Sequence, residues 1–164
     1  MEHIFAFLVC IFIVIVFGLF SIFAVRNMYV SQSSFLQDEA VLAFRQLLEN
    51  PGNYSRRPPT IGIAMKDLPY SINITNLYIL KSQTFKSRED YEKNKTGMVS
   101  PDVDIRIILY NGTKYITLGA NITRSKVVSV KGYAFCPPGR CLPDFSFCCP
   151  PNGNITVQVV VTGD

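Results

Sequence analysis

Residues 4–25 read IFAFLVCIFIVIVFGLFSIFAV, a run of 22 residues with no charge. The run is apolar on every side, so it carries no stripe that one protein face alone would cover. As a helix it extends about 33 Å at roughly 1.5 Å per residue. That length matches a hydrocarbon core of about 30 Å. The segment is therefore expected to sit in a membrane or an equally apolar environment, the competing reading being a buried core helix. A cleaved secretory signal is the other competitor. It calls for a positive start and a shorter apolar core. Met1-Glu2-His3 supplies no Lys or Arg. The expectation is an uncleaved anchor, or a chain whose leader has already gone.

Beyond Arg26 the pattern changes. Leu36, Ala40, Ala43 and Leu47 recur at steps of four and three, with Phe44 and Leu48 beside them and polar residues between. This spacing predicts an amphipathic helix over 27–49, continuous with the apolar part. Asn50-Pro51-Gly52 ends it, because Pro restricts the residue before it and Gly permits a reversal. Ser31-Gln32-Ser33-Ser34 is the weakest stretch of the helix.

Which side of a membrane holds the rest is argued by two features. Asn-x-Ser/Thr occurs at Asn53, Asn73, Asn94, Asn111, Asn121 and Asn154. Chance pairing of this chain's ten Asn with its Ser and Thr content gives about one such motif, so six is an excess that favours N-linked glycans. The competing reading is a Thr-rich β domain with Asn in its turns. Cys136, Cys141, Cys148 and Cys149 lie close together, while Cys10 stands alone in the apolar run. Four clustered cysteines in an external domain read as two disulfides. A zinc site is disfavoured by the missing CxxC knuckle. Neighbours Cys148 and Cys149 should each pair across to Cys136 or Cys141, with the connectivity open. Arg26 weakly argues the opposite orientation, but long domains translocate largely regardless of charge. The expected location is the cell surface, with the C-terminal domain outside.

After residue 50 the signals turn to β structure. Candidate strands are Ile61–Met65, Ile72–Leu80, Val127–Phe135 and Ile155–Thr162. Ser87 followed by Glu89 and Asp90 marks a short helix that Gly97 ends. Asp104–Tyr110 and Thr113–Leu118 flank Asn111-Gly112, a sequence suited to a type I′ hairpin turn. The Pro-rich stretch from Cys136 to Pro151 is a loop held by cross-links. The Tyr and Phe of this region, among them Tyr110, Tyr115, Tyr133 and Phe135, read as core, with Phe145 and Phe147 as candidates for contact with a neighbour. The fold class is thus α+β: a long N-terminal helix (1–50; apolar 4–25, amphipathic 27–49) and an antiparallel β domain (51–164) with a disulfide-linked loop.

Much chemistry is disfavoured. The single His at position 3 removes His-based triads and His-rich metal sites from the main domain. A net charge of +4, scattered along the chain, does not suggest nucleic-acid binding. No cofactor or metal motif is present, nor GxSxG, HExxH or a P-loop. Asp102 and Asp104, two apart on an expected strand, are the one candidate acid pair. Solvated surface carboxylates are the ordinary reading of such a pair, and no enzymatic activity is expected.

The layout resembles archaeal type IV pilin-like proteins. The resemblance rests on Ile4–Val25, the continuation Leu36–Leu48 and the β domain that follows. It also rests on Leu47-Leu48-Glu49-Asn50-Pro51-Gly52, Ile61-Gly62-Ile63-Ala64 and Asp104-Ile105-Arg106-Ile107. It implies a surface-filament subunit or an accessory envelope protein, held in the membrane before assembly. Such a subunit forms a homopolymer through its N-terminal helix and carries its β domain and glycans outside. A monomeric, membrane-anchored surface glycoprotein that binds a ligand or another cell is the alternative.

Overall fold

The computed structural model describes residues 2–56, 59–122 and 126–163, with side chains for 11–22 and, within those ranges, from Ser34 onward. The first element is helix α1, Glu2–Glu49. The chain divides into two compact units, Met1–Phe35 and Leu36–Asp164. The second half of α1 therefore belongs to the C-terminal unit. Its stripe of Leu36, Ala40, Ala43, Phe44, Leu47 and Leu48 is buried there.

The C-terminal unit continues with strand β1, Ala64–Met65, and β2, Leu68–Ile72. Helix α2, Ile74–Ile79, runs into a π turn over Leu80–Thr84. Helix α3, Arg88–Asn94, runs into a 3₁₀ turn over Lys95–Gly97. Strands β3 (Asp104–Tyr110), β4 (Tyr115–Gly119), β5 (Lys126–Phe135) and β6 (Asn154–Gly163) complete it. The sheet order is β1-β2-β5-β6-β3-β4.

The expected fold class needs correction on three points. The sheet is mixed, not antiparallel: β2 lies parallel to β5, with Ser71 opposite Phe135. The chain leaves β2 through α2, α3 and the β3–β4 hairpin before β5 returns beside it, and a connection of that length allows parallel pairing. The domain also contains helices where strand was expected. The third point concerns the membrane: among the described residues, no helix is long and apolar enough to cross one. The side chains of 4–10 and 23–25, including Cys10, lie outside the described residues.

The clearest local error is Ile72–Leu80. Strand β2 stops at Ile72, and Asn73 caps a helix instead. Its Oδ1 accepts from the backbone N–H of Thr75 at 3.0 Å and of Asn76 at 3.3 Å. Such a cap is worth about 1 kcal/mol. Leu77 and Leu80, three apart, then point into the core. The expected strand Ile61–Met65 shortens to Ala64–Met65, although Ile61 and Ile63 are both buried.

Where α1 ends, the chain closes tightly. Ile63 N–H donates to Leu47 O at 2.8 Å and Ala64 N–H to Asn50 O at 3.1 Å. Gly62 lies so close that a Cβ there would meet Asn50 O at 2.1 Å. The anticipated α3 is present, with Ser87 Oγ accepting from Asp90 N–H at 3.1 Å.

The hairpin forms where expected but with a different turn. Tyr110 pairs with Tyr115, and Asn111 N–H donates to Lys114 O at 3.1 Å. Gly112 takes φ +94° while Asn111 stays out of the positive-φ region. A type I′ turn needs both central residues at positive φ. Here the turn centres on Gly112-Thr113, and Asn111 serves as its anchor.

One sheet face carries the core. Ile105, Ile107 and Leu109 of β3 pack there with Ile155, Val157, Val159 and Val161 of β6. Gly132 of β5 leaves room for the Phe44 ring, which a Cβ would meet at 2.6 Å. Thus α1 from Leu36 onward packs on this face.

Candidate functional site

Four features of the chain are candidates for function. The first is the described part of the apolar segment. Ile11, Phe12, Val14, Phe17 and Phe20 are all exposed, Phe17 to 71%. A set of large exposed apolar side chains this dense marks a surface made for lipid or for protein.

The second is the cross-linked loop between β5 and β6. Cys136 bonds to Cys149 and Cys141 to Cys148. The pairing across, left open by the sequence, is nested: the inner bridge lies within the loop closed by the outer. Two closed disulfides fit an oxidising, extracellular environment. Inside the loop Leu142 N–H donates to Phe147 O at 2.9 Å, and Cys149 N–H donates to Arg140 O at 2.7 Å. Phe147 is fully buried, as its core reading expected, and is no candidate for contact with a neighbour. Phe145, at φ +53°, is 73% exposed at the loop tip.

The loop is tied to the π turn by Lys81, whose Nζ donates to Asp144 and to Ser146 Oγ. The Lys81 ammonium holds the Asp144 carboxyl far below the usual carboxylate range, helped by the Ser146 hydroxyl and N–H. A lowered folded-state pKa means that the stabilisation is complete above the unfolded value of about 3.9. It is lost as pH falls through the lower folded value. The loop anchor is therefore expected to survive at pH 4. In Lys81→Met the Asp144 carboxyl should titrate back toward the normal range, followed by carbon-13 NMR. An unchanged midpoint would show that the pair does not form in solution.

The third feature is the set of six asparagines. Asn53 and Asn154 are exposed, and no described residue accepts from their side-chain amides. Asn73 uses only its Oδ1, as the α2 cap. Asn121 is exposed and accepts from Arg106 Nη2 at 2.6 Å; Thr123 of its motif lies outside the described residues. Asn111 donates through Nδ2 to Cys148 O at 2.8 Å. Asn94 commits its whole NH₂ group, donating to Thr84 O at 3.2 Å and to Asp90 O at 2.8 Å. An N-linked sugar takes one of those two hydrogens. Glycopeptide mass spectrometry of the native protein is therefore expected to find Asn94 bare. A sugar there would require Asn94 to release either the Thr84 or the Asp90 carbonyl.

The fourth is a buried charge pair. Lys95 Nζ donates to Asp104 Oδ1 at 3.0 Å, and both residues are about 5–6% exposed. Tyr91 OH donates to the same oxygen at 3.1 Å and accepts from Ile105 N–H at 2.8 Å. Burial, reinforced by the Asp104 carboxylate, pushes the Tyr91 hydroxyl well above the ordinary tyrosine range. Lys95 also pairs with Glu92 at 2.9 Å. The cluster joins α3 to the start of β3. It also corrects the placing of Asp102 with Asp104 on one strand face. Strand β3 begins at Asp104, which is buried, while Asp102 is exposed in the preceding turn. Among the described residues, no group of three or more His, Cys, Asp or Glu is placed to hold a metal ion.

Sequence reasoning placed Tyr110, Tyr115, Tyr133 and Phe135 in the core. All four are exposed, Tyr115 to 72% and Tyr133 to 74%. They lie on the sheet face opposite the α1 stripe. The available signal was parity: Tyr133 and Phe135 alternate with buried Ala134 and Cys136. No protein-family model, curated protein or solved structure matches this chain.

Proposed function

We propose that this chain is a structural subunit of an extracellular, type IV pilus-like filament. It polymerises through its apolar N-terminal segment and displays the Leu36–Asp164 unit, glycosylated, on the outside. Before assembly the segment anchors the chain in a membrane as a single pass, with the C-terminal unit external. The observation that carries this reading is the exposed apolar surface from Ile11 to Ile22. In water such a surface associates with a gain of about 25 cal/mol per Å² buried. A repeated contact that does not close on itself generates a filament. In lipid the drive is weaker, because acyl chains are already apolar. Extraction from the bilayer is therefore the step that needs outside machinery.

The test is electron microscopy of filaments sheared from the source cell, with peptide identification. The chain is expected among their components, and its absence from every filament would overturn the reading. One observation favours the alternative of a monomeric anchored glycoprotein. Phe145 stands at the tip of a doubly cross-linked loop, an arrangement suited to recognition. A detergent-extracted chain that stays monomeric and binds cells through that loop would support it.

A further inference from the structure

Asn154 opens β6 directly opposite Phe135, the last residue of β5. One step along, Cys136 N–H donates to Gly153 O at 2.7 Å. Hydrogen-bonded and non-hydrogen-bonded pairs alternate along an antiparallel ladder. Phe135 and Asn154 therefore form a non-hydrogen-bonded pair, the kind whose side chains approach most closely. Opposite Cβ atoms in a sheet lie about 4.5–5.5 Å apart. Both side chains are on the outer face of the sheet.

The Phe135 ring is also fixed. A Cβ on Gly153 would meet its Cε2 at 2.3 Å, so the ring lies over that bare backbone and turns its other side outward. The neighbouring row on the same face runs Tyr133, Thr156, Tyr110, Tyr115 across four strands, by the pairings of β5 with β6, β6 with β3 and β3 with β4. The three tyrosines of that row are exposed.

We infer that the first sugars of a glycan on Asn154 lie against the Phe135 ring and continue over Tyr133, so that the aromatic row is a platform for the chain's own glycan. The inference rests on the glycosylated surface proposed above. The chemistry is that of a sugar ring on an aromatic face. Pyranose C–H groups carry partial positive charge, and the ring face carries the negative part of its quadrupole. Two further observations point to this occupant. Asn154 commits no amide hydrogen to the described protein, unlike Asn94 and Asn111. Its covalent link also sets the sugar at the edge of the aromatic row without any cost of association.

The test is a double-mutant cycle on the full-length chain, made in its source cell and extracted in detergent. Thr156→Val removes the motif but keeps Asn154, and Asn154→Gln is the second way to remove the sugar. Glycopeptide mass spectrometry first reads occupancy at Asn154. Loss of the sugar is then expected to lower Tm by about 3 °C in the Phe135 background, the scale of one ordinary contact in a domain of this size. In Phe135→Ala the same loss should leave Tm unchanged, which separates the stacking from the packing of Phe135 on Gly153. Equal losses in both backgrounds would overturn the inference, leave the glycosylated surface standing and free the row for a neighbouring subunit. A bare Asn154 beside other occupied asparagines would also overturn it alone. No sugar on any asparagine would overturn both.

Discussion

Lys95→Met is expected to destabilise the C-terminal unit by about 3–5 kcal/mol, the usual cost of removing one partner of a buried ion pair. Methionine fills the volume of the lysine stem but supplies no charge to Asp104, which stays 6% exposed. Tyr91 OH still donates to the carboxylate, but a neutral hydroxyl does not replace the ammonium that stood at 3.0 Å. The double variant Lys95→Met/Asp104→Asn should recover part of the loss, since the remaining amide carries no charge and can still accept from Tyr91. Urea unfolding of both variants measures the difference. A Lys95→Met protein within 1 kcal/mol of the wild type, by the scale of exposed pairs, would mean that water reaches the pair.

Val14→Asp is expected to remove the chain from filaments altogether while leaving the Leu36–Asp164 unit folded. Val14 is among the exposed apolar side chains of the first unit, so the substitution disturbs no packing in the second. A carboxylate in the middle of a membrane helix costs about 2.5–3.5 kcal/mol. Between packed subunits the penalty is several kcal/mol per ion and recurs at every subunit. Val14→Leu, which keeps the surface apolar, should assemble normally. The readout is the amount of chain in sheared filaments, with circular dichroism of the extracted protein to show that the sheet persists. Assembly of Val14→Asp at the wild-type level would sink the idea that this segment forms the filament core.

The legible parts of the fold share a property: each is specified by residues close in sequence. The stripe Leu36 to Leu48 is a three-and-four spacing, and those residues are buried. Ser87 with its acids announced α3, and the structure places the cap there. The clustered cysteines announced two bridges, both of which close. The failures fall where a local preference was outvoted or where the partner is distant. Ile72–Leu80 is rich in β-branched residues, but Asn73 offers a cap and the core accepts Leu77 and Leu80 on one helix face. The pairing of β2 with β5 joins Ser71 to Phe135, a separation at which no periodicity speaks.

The candidate surfaces divide in the same way. The six Asn motifs are strings, readable by inspection, but a string does not say where an amide points. Only folding brings Thr84 and Asp90 to Asn94, and only pairing of β5 with β6 sets Phe135 opposite Asn154.

From the chain alone came the apolar run, the stripe that follows it, the Ser87 cap, the place of the hairpin, and the thiols near enough to meet. Each depends on interactions within a few residues, whose geometry the backbone dictates. Tertiary structure decided the mixed sheet, the nesting of the disulfides, the buried Lys95–Asp104 pair and the outward turn of the tyrosines. Those outcomes depend on which face of an element finds a partner, and burial is a property of the assembled layers.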